Sequence, residues 1–109
     1  MSSKIVGSFF LGKDIVAFVN AMSEGDTVVL SRDKENEHDP NAIKVSIDVD
    51  LVDSVERFHL GYIPAEHSKI LAPVFDEEGI TETAAVYKGK KIIKLCNSKL
   101  DNLLQAEDK

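Results

Sequence analysis

A polar stretch, Arg32-Asp33-Lys34-Glu35-Asn36-Glu37-His38-Asp39-Pro40-Asn41-Ala42-Ile43, lies between two apolar runs, Thr27 to Leu30 and Ile43 to Val49. It is too polar to be core, and its last residues fix the backbone. Asp39 can accept a hydrogen bond from the N–H two residues on, Pro40 holds φ near the value a turn needs at its second position, and Asn41 tolerates the third. The stretch therefore ends in a turn that feeds a strand from Ala42 in one register. In that strand Ile43, Val45, Ile47 and Val49 alternate with Lys44, Ser46 and Asp48, the pattern of a strand with one wet face. His38 and Asp39 fall just before it, at a rim where loop side chains held by a rigid sheet often carry function.

The rest of the chain supplies short elements around this turn. Lys4 to Phe10 reads as a first strand, with Gly7 marking a bulge or a close backbone. Gly12 to Met22 reads as a helix, since Ile15, Val16, Phe18, Val19 and Met22 recur at helical spacing, and Gly25 is its stop. Thr27 to Ser31 is a second strand. An acidic connection, Asp50 to Arg57, leads to a strand over Phe58 to Ile63. Pro64 opens a helix whose stripe is Ile70, Leu71, Val74 and Phe75, and Gly79 ends it. Ile80 to Lys88 and Lys90 to Asn97 form a hairpin closed near Gly89. Ser98 caps a short helix to Ala106, followed by a frayed tail. The sum predicts a mainly β fold with flanking helices (β+α): a small six-stranded OB/SH3-like β-barrel with two or three helices. It forms a single domain over residues 1–109, with its core at 3–97 and the short helix and tail at 98–109.

Charge and cysteine content exclude several function classes. Nineteen acidic residues against 13 basic ones give −6, a far field that repels phosphate and argues against non-specific DNA binding, though not against a local basic site. One cysteine, Cys96, allows no disulfide framework and no cysteine-rich zinc site, which fits a reducing compartment. Its neighbours suggest a buried strand position. The N-terminal residues lack an apolar run of signal-peptide length, and no stretch approaches the ~20 apolar residues of a membrane span. The expectation is a cytoplasmic monomer with no cofactor. His59 and His67 do not share a metal-binding helix, and Asp48, Asp50 and Asp53 lack the glycine and distal glutamate of a calcium loop. No phosphate-binding glycine loop is present. The chain is therefore not expected to be an enzyme.

Four segments carry a resemblance: Val6-Gly7-Ser8-Phe9-Phe10; Val29-Leu30-Ser31-Arg32; His38-Asp39-Pro40-Asn41-Ala42-Ile43-Lys44-Val45; and Leu60-Gly61-Tyr62-Ile63-Pro64 running into Leu71-Ala72-Pro73. In this order they resemble the HIRAN domain family over most of Ile5 to Gly79, the third and fourth segments being the specific ones. The resemblance implies a small OB-like β-barrel, found alone or fused to helicase-like and repair proteins. In one helicase-like protein that carries it, the domain recognises the 3′ end of single-stranded DNA. It implies an end-binding pocket formed by Phe9 and Phe10 on the first strand, by His38 and Asp39 before Pro40-Asn41, and by Tyr62 after Gly61. Ser8, His38 and Ala65 stand where the family pattern has a basic, an aromatic and a basic residue, so cationic and stacking surface is reduced.

The residues make chemical sense of such a pocket. Aromatic stacking is worth ~1–3 kcal/mol per base. A carboxylate such as Asp39 accepts a bond from a sugar hydroxyl and repels a phosphate, selecting a free 3′-OH. Phe9 and Phe10, on opposite faces of a strand, line a groove or pack under the helix at Gly12 to Met22. Beside Gly61, Tyr62 has room for a ligand, or is a half-buried tyrosine with a satisfied hydroxyl. Arg32 binds phosphate or pairs with Asp33, Glu35 or Glu37. Asn41 belongs with the turn. Lys88, Lys90, Lys91, Lys94 and Lys99, with no acid among them, guide a phosphate backbone or shield a hairpin edge. The leading expectation is thus a stand-alone module binding single-stranded DNA 3′ ends, or another nucleic acid, in a repair or processing context through Phe9, Phe10, Arg32, His38, Asp39, Asn41, Tyr62, Lys88 and Lys91. A rival is a protein–protein interaction module in a repair or defence assembly. A distant one is a metal-dependent hydrolase, acting on acid anhydrides or nucleic acid, built on His38 and the acidic loop.

Overall fold

The computed structural model describes residues 2–107. In chain order they form β1 (Ser3–Lys4), a 3-10 turn (Ser8–Leu11), α1 (Lys13–Ala21), β2 (Thr27–Arg32), β3 (Ile43–Asp50) and β4 (Val55–Tyr62). Then follow α2 (Ala65–Glu78), β5 (Glu82–Gly89), β6 (Ile92–Leu95) and α3 (Ser98–Glu107). The final two residues of the expected frayed tail lie outside the described residues.

The six strands make one antiparallel sheet in the order β1-β6-β5-β2-β3-β4. Alternation along β2 and β3 sends Val28, Leu30, Ile43 and Val45 inward, where they meet Leu60, Leu71, Phe75, Ile93, Leu100 and Leu104 in one buried cluster. The helices close that cluster because each carries an apolar stripe of the right period. Residues 3–6 reach both edges of the sheet: Ser3 and Lys4 pair with β6, and Val6 bridges Tyr62, the last residue of β4, through two 2.8 Å backbone bonds. This single bridge is not a ladder, so the strands do not close into the hydrogen-bonded barrel expected from their spacing.

Several local expectations need correction. Residues Ser8–Leu11 are not strand: Gly7, at φ 78°, turns the chain into a 3-10 turn, and Gly12, at φ 111°, turns it out again into α1. The left-handed region is open to glycine at little expense, which is why the strand breaks there. β4 starts at Val55, because Leu51–Ser54 forms a tight turn in which the Leu51 N–H donates to the Ser54 carbonyl at 2.7 Å. Asn97, not Ser98, caps α3, its Oδ1 accepting from the Leu100 N–H at 3.1 Å. Cys96 is exposed, since β6 ends with Leu95 pointing inward and the next side chain faces out.

Candidate nucleic-acid interface

The 33–42 loop is shaped by its own side chains. Asn36 Oδ1 accepts from the His38 and Asp39 N–H groups, both at 2.9 Å, and its Nδ2 donates to Asp33 at 3.3 Å. Asp39 Oδ1 accepts from the Asn41 N–H at 2.9 Å, the bond the Asp-Pro-Asn turn calls for. Among the described residues Asp39 Oδ2 has no hydrogen-bond partner, so one carboxylate oxygen is left for a ligand.

Arg32 holds the loop from beneath. Its guanidinium donates to the Ala42 and Pro40 carbonyls at 3.1 and 2.7 Å and, in a fork, to Asp76 of α2 at 3.1 and 3.2 Å. With its side chain only 7% exposed, Arg32 is a clamp between loop and helix. Hydrogen bonds from Arg32 hold the Asp76 carboxyl below the usual aspartate range. The partner is thus Asp76, not Asp33, Glu35 or Glu37, and Arg32 lines a separate depression with Asp33, Lys34, Glu35 and Asp76.

Beside the loop, Tyr62 ends β4. A β-bulge at Leu60 shifts its register against β3. Gly61, at φ 155°, then lets the N-terminal segment cross: a Cβ there would lie 2.5 Å from the Val6 carbonyl oxygen and 2.8 Å from Ile5. The space expected for a ligand next to Gly61 is therefore filled by the protein's own backbone. Ser8, buried, ties the 3-10 turn down by donating to the Leu60 carbonyl. His59 meets Tyr62 edge to face, 4.8 Å between centroids, and burial pushes its imidazole below the ordinary value. Lys44, directly across the ladder from Tyr62, lies 4.0 Å from Asp33.

These segments converge. Phe10 and Leu11 of the 3-10 turn, Asn36, His38, Asp39 and Ala42 of the loop, and Tyr62 and Ile63 line one open depression of about 540 Å³. Its walls are mostly apolar, and among the described residues Asp39 is its only acid. Phe9 and Phe10 do not pack under α1: they are 69% and 80% exposed and lie against each other, centroids 3.9 Å apart. Of the residues singled out in the sequence, Phe10, His38, Asp39 and Tyr62 meet here. Phe9 sits next door, Asn41 turns the loop without lining the depression, and Arg32 does not reach it. The lysine run is divided: Lys91 lies near Phe9, Lys88 lies with Lys94 and α3, and Lys99 pairs with Glu78. Asn36 was missed. Its signal was the spacing Asn36-x-x-Asp39, hidden inside a run of polar residues.

A small antiparallel sheet with an aromatic hollow at its rim is the frame of a binding module. The chain belongs to the HIRAN domain family, whose model matches residues 2–101; it is a family of DNA-binding modules, not itself catalytic. No curated protein and no solved structure matches the chain. Among the described residues no group of three or more His, Cys, Asp or Glu side chains is gathered as a metal would need. Among them, too, no helix is long and apolar enough to cross a membrane.

Proposed function

We propose that the chain binds the 3′ end of single-stranded DNA, in a repair or processing setting, in the depression between the 3-10 turn, the 33–42 loop and Tyr62. The observation that carries this reading is the meeting of Phe10, His38, Asp39 and Tyr62, drawn from three distant segments, around one mostly apolar hollow. The terminal base stacks on the exposed Phe10 ring and the half-buried Tyr62 ring, a gain of ~1–3 kcal/mol per base. The terminal 3′-OH donates to Asp39 Oδ2, while a 3′-phosphate is repelled by the same carboxylate. The loop bonds to Asn36 and Arg32 hold that carboxylate in place before the ligand arrives, which lowers the entropy lost on binding.

Titration of labelled oligonucleotides ending in 3′-OH or 3′-phosphate at low salt tests the proposal. Binding of the hydroxyl-ended strand with clear loss for the phosphate-ended one supports it; no binding of either overturns it. A second reading, a protein-interaction module, is favoured by the β3–β4 hairpin tip, where Leu51, Val52 and Val55 are exposed, Val52 at 99%, among Asp50, Asp53 and Glu56. Pull-downs with and without nuclease separate the two, since only a protein contact survives digestion.

A further inference from the structure

Phe9 lines a second depression, of about 380 Å³, together with Lys4, Lys90, Lys91, Val16 and residues 5–8. No acid lines it. Among the described residues none of its three lysines forms an ion pair, although the protein as a whole is acidic. We propose that this notch holds the phosphates of the nucleotides preceding the 3′-terminal one, so that a bound strand leaves the end pocket over the Phe9–Phe10 pair. The inference rests on the end-binding reading above and adds the path and polarity of the strand.

Three observations carry it. The first is continuity: Phe10 lines the end pocket, Phe9 lines the notch, and their rings are 3.9 Å apart. The second is charge. The other depression flanking the 33–42 loop holds Asp33, Glu35 and Asp76, and both its cations, Arg32 and Lys34, are paired to Asp76. A phosphate backbone is repelled there and attracted toward Lys4, Lys90 and Lys91.

The third is backbone strain. Lys90 and Lys91 form the two-residue loop of the β5–β6 hairpin with φ at 52° and 65°. Two successive positive φ values favour Asn-Gly, and lysine is strained in that region. The turn is nevertheless held, the Lys91 N–H donating to the Tyr87 hydroxyl and the Lys91 carbonyl accepting from the Ile5 N–H, both at 2.8 Å. Strain of this kind gathers where a side chain is needed by a ligand rather than by the fold. What the fold tolerates at this turn is two ammonium groups beside Phe9.

The double substitution Lys90→Asn with Lys91→Gly tests the proposal, with Lys4→Gln as a second variant outside the turn. The double variant is expected to fold with a raised Tm, because the new residues suit the turn. It is expected to keep the preference for 3′-OH over 3′-phosphate. Its log–log salt slope for a long oligonucleotide is expected to become less negative by about 1.4, ~0.7 for each phosphate that is no longer neutralised. Lys4→Gln is expected to move that slope by about half as much. Salt slopes unchanged in both variants, with wild type still selecting 3′-OH ends, overturn the notch and leave the end pocket standing. No binding by wild type overturns both.

Discussion

Two loops at the rim of the sheet carry basic residues and dispose of the charge differently. At the foot of the 33–42 loop Arg32, the last residue of β2, is nearly buried, forks onto Asp76 and donates to two backbone carbonyls. At the 90–91 turn, two exposed lysines sit on a strained backbone, and among the described residues no carboxylate pairs with them. A cation whose counter-charge is supplied by the fold belongs to the fold, whereas one left facing solvent beside exposed aromatics is available to a partner. Arg57 repeats the first pattern, fixed by Asp48 and Glu82. Both arginines thus have their counter-charge within the fold, and in the proposed reading attraction for an anionic strand falls to lysines.

The strongest way to break this comparison is Arg32→Met. Loss of the clamp removes the fork onto Asp76 and the bonds to the Pro40 and Ala42 carbonyls, the latter still accepting from the Asp33 N–H, at roughly 0.5–1.5 kcal/mol for each bond lost. The urea midpoint is expected to fall with m unchanged. A variant of wild-type stability that has lost DNA affinity would instead make Arg32 a phosphate ligand.

The same pair gives a pH dependence. Arg32 depresses the Asp76 value in the fold, so the unfolded chain takes up its proton first as acid is added. The stability gap between wild type and Arg32→Met is full above the ordinary aspartate value of 3.8 and closes as pH falls toward the depressed one. Acid titration of both proteins by circular dichroism reads it.

Next in size is Phe10→Ala, expected to weaken binding by ~1–3 kcal/mol, roughly 5- to 150-fold, with the fold intact because the ring is already exposed. Asp39→Asn sharpens the chemistry. Its Oδ1 can still cap Asn41, while the charge proposed to reject a 3′-phosphate is gone, so the ratio of 3′-OH to 3′-phosphate affinity is expected to drop toward one. The smallest effect is at His59. Burial keeps it neutral below its ordinary 6.5, so stability falls as pH drops through that value and levels once the folded imidazole takes its proton. In His59→Gln that part of the pH profile is expected to vanish from thermal melts.

What the sequence disclosed follows the range of the interactions. The Asp39-Pro40-Asn41 turn and the alternation of β3 were readable because the bonds and periods that make them span only a few residues. So were α2 and its Gly79 stop, whose left-handed φ of 69° lets the Ile80 N–H reach the Phe75 carbonyl. The Phe9–Phe10 segment was misread because a short apolar run fits a strand until the glycines on either side are known to sit at positive φ. Arg32 could not be assigned, since Asp76 is 44 residues away and several nearer acids compete. Gly61 was recognised as a place without a side chain, but what fills it is the Val6 carbonyl, a contact only the fold creates.

The central claim is tested most directly by backbone amide NMR shifts during titration with a short 3′-OH oligothymidine. The expected result is that Phe10, Asn36, His38, Asp39 and Tyr62 move first, and that a 3′-phosphate on the same strand abolishes their movement. Shifts confined to other surfaces, such as the Leu51–Val55 tip, or identical for both ends, would contradict it.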